Sequence, residues 1–294
     1  MDFRVIGISA ALGSSASWAV GSILFKRLGE KLSPLGMTLA KGGVSVVFLA
    51  LALLVTGYNQ VDHQSLFLLI LSGLLGISIG DTLFFEALQD IGAHSLILLT
   101  TFGEVLTIIL AVIFLKEQPT PQQWVGIVSV LLGIALVLHS KITNDSQKSQ
   151  FKWRGIIIGL LSVICMSVSL IIAKQGLASL SAIQATFIRM LSGTVGMFGF
   201  GLVTQRLGKW MNPFEDRALI ARFLIAVAVV TFGGFWLSLV SLKYIDVAIA
   251  NILSSTEPLF VLPLAAIFLK EKITTQALIG NFVAVFGIIL ICTP

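Results

Sequence analysis

Five ionisable side chains stand in otherwise apolar sequence: Lys41, Asp81, Glu104, Arg189 and Glu257. Inside a bilayer such a group costs about 2.5–3.5 kcal/mol on insertion scales, and it is functional by default. Two chemistries fit these residue types. A cation–carboxylate pair facing a bundle interior can open to grip a substrate carboxylate or ammonium, and a buried carboxylate can exchange a proton. The alternative is a set of closed ion pairs that only fix helix packing, with Lys41 against Glu104 or Asp81 and Arg189 against Glu257. Polar and aromatic neighbours recur at helical spacing. Thr100, Glu104 and Thr107 share one face, Asn251, Ser254 and Ser255 form a patch beside Glu257, and Ser14, Trp18, Ser22 and Phe25 form a third stripe. Such stripes can line a polar cavity or make interhelical bonds worth about 0.6 kcal/mol each. Trp18 and Trp236 lie too deep for the interfacial belt that suits Trp124, Trp153 and Trp210. The candidate substrate-binding set is Trp18, Lys41, Asp81, Thr100, Glu104, Arg189, Trp236, Asn251, Ser254 and Glu257.

The elements that must hold these residues follow from composition. The chain has 294 residues, 56% hydrophobic and only 11% charged, against about 25% charged in soluble domains. Its mean hydropathy is +1.01. A water-facing surface cannot be covered with so little charge, which excludes a soluble enzyme, a nucleic-acid binder and a disordered chain. A bilayer core needs roughly 20 apolar residues per helix. On that ruler ten spans are expected, near 5–27, 34–57, 65–88, 93–115, 121–139, 153–177, 181–204, 218–242, 247–269 and 274–292. The first apolar run, reaching about Phe25, is too long for a cleaved signal peptide. The runs are continuous rather than alternating, which disfavours a β-barrel.

The long hydrophilic stretch Lys141–Arg154 falls near mid-chain. It divides residues 1–140 from 153–294, with 141–152 as linker, and the two parts repeat. Phe114-Leu115-Lys116-Glu117 recurs as Phe268-Leu269-Lys270-Glu271, a shift of 154 that also brings Thr120 onto Thr274, Gln122 onto Gln276, Gly126 onto Gly280 and Gly133 onto Gly287. At a shift of 148, Gly7 meets Gly155, Lys26 meets Lys174, Ser33 meets Ser181, Thr38 meets Thr186 and Lys41 faces Arg189. A five-span unit crosses the membrane an odd number of times, so its copy starts on the opposite side. The expected fold is an all-α polytopic membrane protein of ten transmembrane helices in two inverted five-helix repeats. Inverted repeats let a carrier expose a midplane site to each face in turn.

The halves, each carrying F-L-K-E-x-x-T-x-Q-x-x-x-G, resemble the EamA-type carriers of the drug/metabolite transporter superfamily along essentially the whole chain. The Glu257-Pro258 pair fits that resemblance, whereas the first half has Gly103-Glu104 there, and Asp81 is matched by Phe235. The resemblance implies a secondary carrier for small organic metabolites, often an exporter of amino acids or related compounds.

Charge and missing motifs complete the reading. Lys and Arg crowd the side opposite the N-terminus, where Lys26, Arg27, Lys31, Lys141, Lys148, Lys152, Arg154, Arg206, Lys209, Arg217, Arg222, Lys270 and Lys272 outnumber Arg4, Lys116, Lys174 and Lys243. Positive-inside bias puts both termini outside a plasma or inner membrane, although the resemblance points the other way. The net charge of +5 is thus a topology signal, not a mark of nucleic acid. His63, His94 and His139 are scattered, and Cys165 and Cys292 lie apart in apolar runs, so no metal or cofactor is expected. No Walker A run occurs. The expected partners are a small-molecule substrate, the lipid bilayer and protons as a coupling ion through Glu104 or Glu257, for a monomer or homodimer. No enzymatic activity is expected. The alternatives are an intramembrane enzyme or lipid-handling protein using Lys41 with Asp81 or Glu104, and a divalent-cation facilitator. Pro258 and Pro263 should bend span 9, and Lys116-Glu117 and Lys270-Glu271 read as helix-end anchors.

Overall fold

The computed structural model describes residues 3–28, 34–142, 153–178, 180–205, 207, 217–257, 259–260 and 275–293. Pro258, Pro263, Lys270, Glu271, Thr274, Arg206, Lys209, Trp210 and most of the 141–152 linker lie outside them. Among the described residues the elements are helical: α1 (Phe3–Leu28), α2 (Pro34–Thr56), α3 (His63–Gly73), α4 (Asp81–Phe114), α5 (Pro121–Ile142), α6 (Trp153–Gly176), α7 (Ala182–Val203), α8 (Arg217–Ala228), α9 (Leu237–Tyr244), α10 (Val247–Ser254) and α11 (Thr275–Cys292). Two π-helical segments, Leu74–Gly80 and Val229–Trp236, join α3 to α4 and α8 to α9 without a break. Six of the described helical runs are long and apolar enough to cross a membrane, and three shorter apolar ones accompany them.

The packing is that of a bilayer protein. Apolar side chains such as Leu54, Val55, Val203 and Phe282 cover the outside, while Ser14, Ser45, Ser72, Ser162, Ser169 and Thr231 are buried. With lipid outside, burying apolar surface between helices gains little, so close backbone approach and interhelical hydrogen bonds carry the association. Ser72 accordingly bonds Ser169 at 3.0 Å, and Ser45 bonds Thr231 at 2.7 Å.

Spans 3 and 4 differ from the expected pattern. Backbone stays helical from His63 to Phe114, because no proline interrupts the ladder. Direction nevertheless reverses. Gly176, Ser169, Ser162 and Gly155 of α6 meet Leu69, Ser72, Gly80 and Ile91 in turn, whereas Val163 and Ser167 meet Gly103 and Thr107. The chain thus runs antiparallel to α6 up to Ile91 and parallel to it from Gly103.

The halves are inverted. Near Ile245, the start of α1 (Gly7) and the end of α6 (Lys174) lie at one level, so these equivalent helices run in opposite directions. Contacts repeat with the sequence. Gly7 packs on Ile245 as Gly155 packs on Ile91, and Gly21 on Val230 as Ser169 on Gly76. In the last pair the small residue has changed sides, which preserves the fit. The repeated glycines make one seam between α5 and α11. A Cβ at Gly126 would lie 2.8 Å from the Gly287 carbonyl oxygen, and one at Gly133 would lie 2.5 Å from that of Gly280. Gly126 meets Gly287 just as its repeat partner Gly280 meets Gly133, as a two-fold axis through the seam requires.

Candidate functional site

The two π-helical segments occupy equivalent places, since residues 75–82 correspond to 229–236 at the shift of 154. A π turn adds a residue to the helix and redirects the side chains after it, often at functional sites. Each is tied to the opposite half by an equivalent buried serine. Ser162 donates to Gly80 O at 2.8 Å, and Ser14 donates to Gly234 O at 2.8 Å. The residues next along are Asp81 and Phe235.

Both converge on Lys41. Its Nζ lies 5.2 Å from the Phe235 ring centroid and 5.9 Å from that of Trp18, within cation–π range. Trp18 and Phe235 meet edge to face at 4.9 Å. Asp81 acts electrostatically on Lys41 and on Arg189. The Arg189 guanidinium donates to Ser169 Oγ at 3.2 Å and lies beside Gly76, where a Cβ would come within 3.7 Å of it. Its buried Nε has no hydrogen-bond partner among the described residues. Lys41, Asp81 and Arg189 are each partly buried among the packed helices. Two cations and one carboxylate leave this group one positive charge in excess. The carboxylate acting on Arg189 is Asp81, where the sequence reading paired it with Glu257. Of the two carboxylates considered for Lys41, Asp81 is the one that acts on it.

A second polar group lies between α4 and α10. The Asn251 amide donates to the Glu104 backbone carbonyl at 3.3 Å, and the side chains of Ser255 and Asn251 approach the Glu104 carboxyl. Glu104 Oε2 is buried without a hydrogen-bond partner among the described residues. Ser15 bonds Thr256 at 3.0 Å, one turn from Trp18, which ties this group to the first. Ser254 and Glu257 are partly buried at and just beyond the end of α10, and Thr100 is partly buried one turn before Glu104. Thr107, on the same expected stripe, is spent on packing, bonding Gly103 O and Ser167 at 2.9 Å. Trp236 lies edge-on to Phe232 at 6.5 Å.

Glu117 does more than anchor a helix end. It is buried, and both carboxylate oxygens accept from the first N–H groups of α10, Val247 at 2.6 Å and Ala248 at 2.9 Å. Asp246, at the N-cap position of that helix, makes no side-chain cap of its own, so the first half caps a helix of the second. Burial pushes the Glu117 carboxyl above its ordinary range. The two N–H bonds oppose that rise, Asp246 adds to it and Lys174 offsets it. Lys174 in turn donates to Leu242 O and Ile245 O at the end of α9. Sequence reasoning missed Phe235 and Ser162 as site residues and placed Ser14 only on the Trp18 stripe, outside the candidate set. The signal was available for the serines, since 14 and 162 correspond at the shift of 148.

The model of the EamA-like transporter family matches this chain twice, over residues 5–139 and 153–293. The uncharacterized inner membrane transporter YhbE of Escherichia coli strain K12 is 27% identical over 139 residues, covering 46% of this chain and 42% of that protein. The matched stretch thus spans less than half of that relative. An uncharacterized transporter of Archaeoglobus fulgidus is 21% identical across 99% of both chains. A crystal structure 16% identical in sequence superposes with a TM-score of 0.74 over 98% of this chain and 95% of its own.

Proposed function

This chain belongs to the EamA-like transporter family, and we propose that it is a secondary carrier exporting amino acids or related small metabolites by alternating access. The observation that carries the reading is the convergence of Lys41, Asp81, Arg189 and the Trp18–Phe235 wall where the two halves meet. The excess positive charge suits a substrate carboxylate. Asp81 or Glu104 suits its ammonium group. Thr100, Asn251, Ser254, Glu257 and Trp236 complete the lining that the substrate passes. Binding loosens the contacts between halves, and the site then opens to the other face. Proton exchange at a buried carboxylate drives net export. The chain does this as a carrier and not as an enzyme. Both termini face the outside of the cell, following the Lys and Arg distribution. A C-terminal reporter that works only in the cytoplasm should be silent, and activity from it reverses the assignment.

Reconstitution tests the activity. Proteoliposomes loaded with unlabelled amino acids should take up the labelled compound by counterflow for a subset of them, and an uncoupler should collapse net export from energised vesicles. Lys41→Gln and Arg189→Gln should abolish counterflow while the protein inserts normally. Transport at wild-type rate by both variants would refute the assigned site. Absence of flux for every amino acid and related metabolite refutes the substrate class.

A further inference from the structure

We propose that the α9–α10 corner, Tyr244 to Ala248, is the carrier's gate on the face that holds the N-terminus, and that Glu117 is the latch that keeps it shut.

The corner closes one end of the molecule. Lys243, Tyr244 and Asp246 are exposed, as are Lys116 and Gln118 on either side of Glu117. Leu177, Leu180, Leu242, Val247 and Ala248, which pack in one cluster, are buried. The first turns of α1 lie against the same place, with Phe3 stacked on Tyr244 at 5.4 Å and Gly7 on Ile245. The polar ties fall into two kinds. Lys174 donates to Leu242 O and Ile245 O, and Lys243 donates to Leu180 O at 2.7 Å, all within the second half. Of the described hydrogen bonds at the corner, those from Val247 and Ala248 N–H to Glu117 cross to the first half. The helix has no local substitute for them, because Asp246 makes no side-chain cap.

The corner also reaches both polar groups of the site. α9 continues from the π turn that brings Phe235 onto Lys41. α10 presents Asn251, one turn beyond Val247, to the Glu104 carbonyl. Displacing the corner therefore displaces a wall of each group. A buried carboxylate suits a contact that must release. The water that Glu117 regains on opening offsets part of the two hydrogen bonds it gives up. An apolar joint of the same size would have no such compensation. The gating role rests on the carrier reading above; the latch itself does not.

The test is thiol accessibility in the purified full chain carrying Cys165→Ala and Cys292→Ala. Val247→Cys reports on the buried gate. Ala226→Cys reports on a buried site of α8 that packs with Leu24 and Phe25, at the other end of α1. Both are labelled with a water-soluble maleimide. Glu117→Gln should speed labelling at 247 about tenfold and leave 226 unchanged. An unchanged rate at 247 overturns the proposal. So does an equal rise at both positions, which marks general loosening instead of a gate. If Glu117→Gln does not accumulate, Glu117→Asp, whose carboxylate stands one methylene further from the two N–H groups, is read in the same way. Amino-acid counterflow by the reconstituted chain with no rise at 247 removes the gate and leaves the carrier. A rise at 247 alone with no flux removes the carrier and leaves the latch.

Discussion

Glu117→Gln isolates the cap that one half of the molecule places on the other. The wild-type carboxylate accepts two short hydrogen bonds, from Val247 N–H at 2.6 Å and Ala248 N–H at 2.9 Å, at the positive end of α10. Hydrogen bonds to a charged group contribute about 1.5–3 kcal/mol each, and an anion at a helix N-terminus adds about 0.3–1 kcal/mol. Glutamine keeps one acceptor oxygen. Its amide group would face the second N–H donor against donor, leaving a buried N–H without a partner. Burial of the charge offsets part of these terms, so the net loss is set mainly by the unsatisfied N–H and should be about 1–3 kcal/mol, which lowers the midpoint of thermal unfolding by roughly 3–8 °C. Size-exclusion recovery after a temperature series in mild detergent measures it. Lys116→Gly is the neighbouring control. Lys116 is exposed with φ of 55°, a conformation glycine adopts without strain, so that variant should be neutral or more stable by about 0.5–1 kcal/mol. An unshifted midpoint for Glu117→Gln would refute the reasoning, since one of the two N–H groups then loses its acceptor.

The cap should also depend on pH. The folded carboxyl titrates above its ordinary value, so protonation favours the closed state over any opening that exposes Glu117 to water, and exchange of the 247–254 amides, corrected for intrinsic rates, should slow as pH falls through that point in wild type but not in Glu117→Gln. The sign for global stability is the same: a raised carboxyl pKa makes stability fall slightly as pH climbs from the ordinary carboxylate range through the folded value. At the seam, Gly133→Ala puts a methyl group 2.5 Å from Gly280 O and should cost about 1–3 kcal/mol in thermal stability. Gly43→Ala, with nothing within 4 Å of its Cβ, should be silent or slightly stabilising, and equal effects of the two would remove the seam. Asp81→Asn leaves Lys41 and Arg189 without the carboxylate that acts on both and should lower the midpoint of thermal unfolding. Adding Lys41→Gln should recover part of that loss, and strict additivity would show that the two charges do not interact.

Much of the fold was legible in the letters. Charge scarcity and apolar run length point to spans, and shared glycines expose the duplication. Those glycines proved to be places where α5 and α11 touch backbone to backbone, a constraint strong enough to keep Gly126, Gly133, Gly280 and Gly287 in both copies. The deep charges were legible too, because each is a costly exception in an apolar run. Their partners were not. Spacing along one helix says nothing about which helix faces it, so Arg189 was matched with Glu257 where the field on it comes from Asp81. The turn between spans 65–88 and 93–115 was expected, but not that the backbone stays helical through it, because a stretch without proline can keep its hydrogen-bond ladder while it changes direction.

What the chain determined alone is that it lives in lipid, in two inverted copies, with a handful of ionisable groups kept inside. Those are statements about transfer free energy and parity, which need no coordinates. Only the tertiary structure decided that two π turns, each held by a serine from the other half, bring Asp81 and Phe235 onto Lys41. A π turn arises where a helix must redirect its side chains against a partner from the opposite half, and that balance is struck between residues more than 80 positions apart.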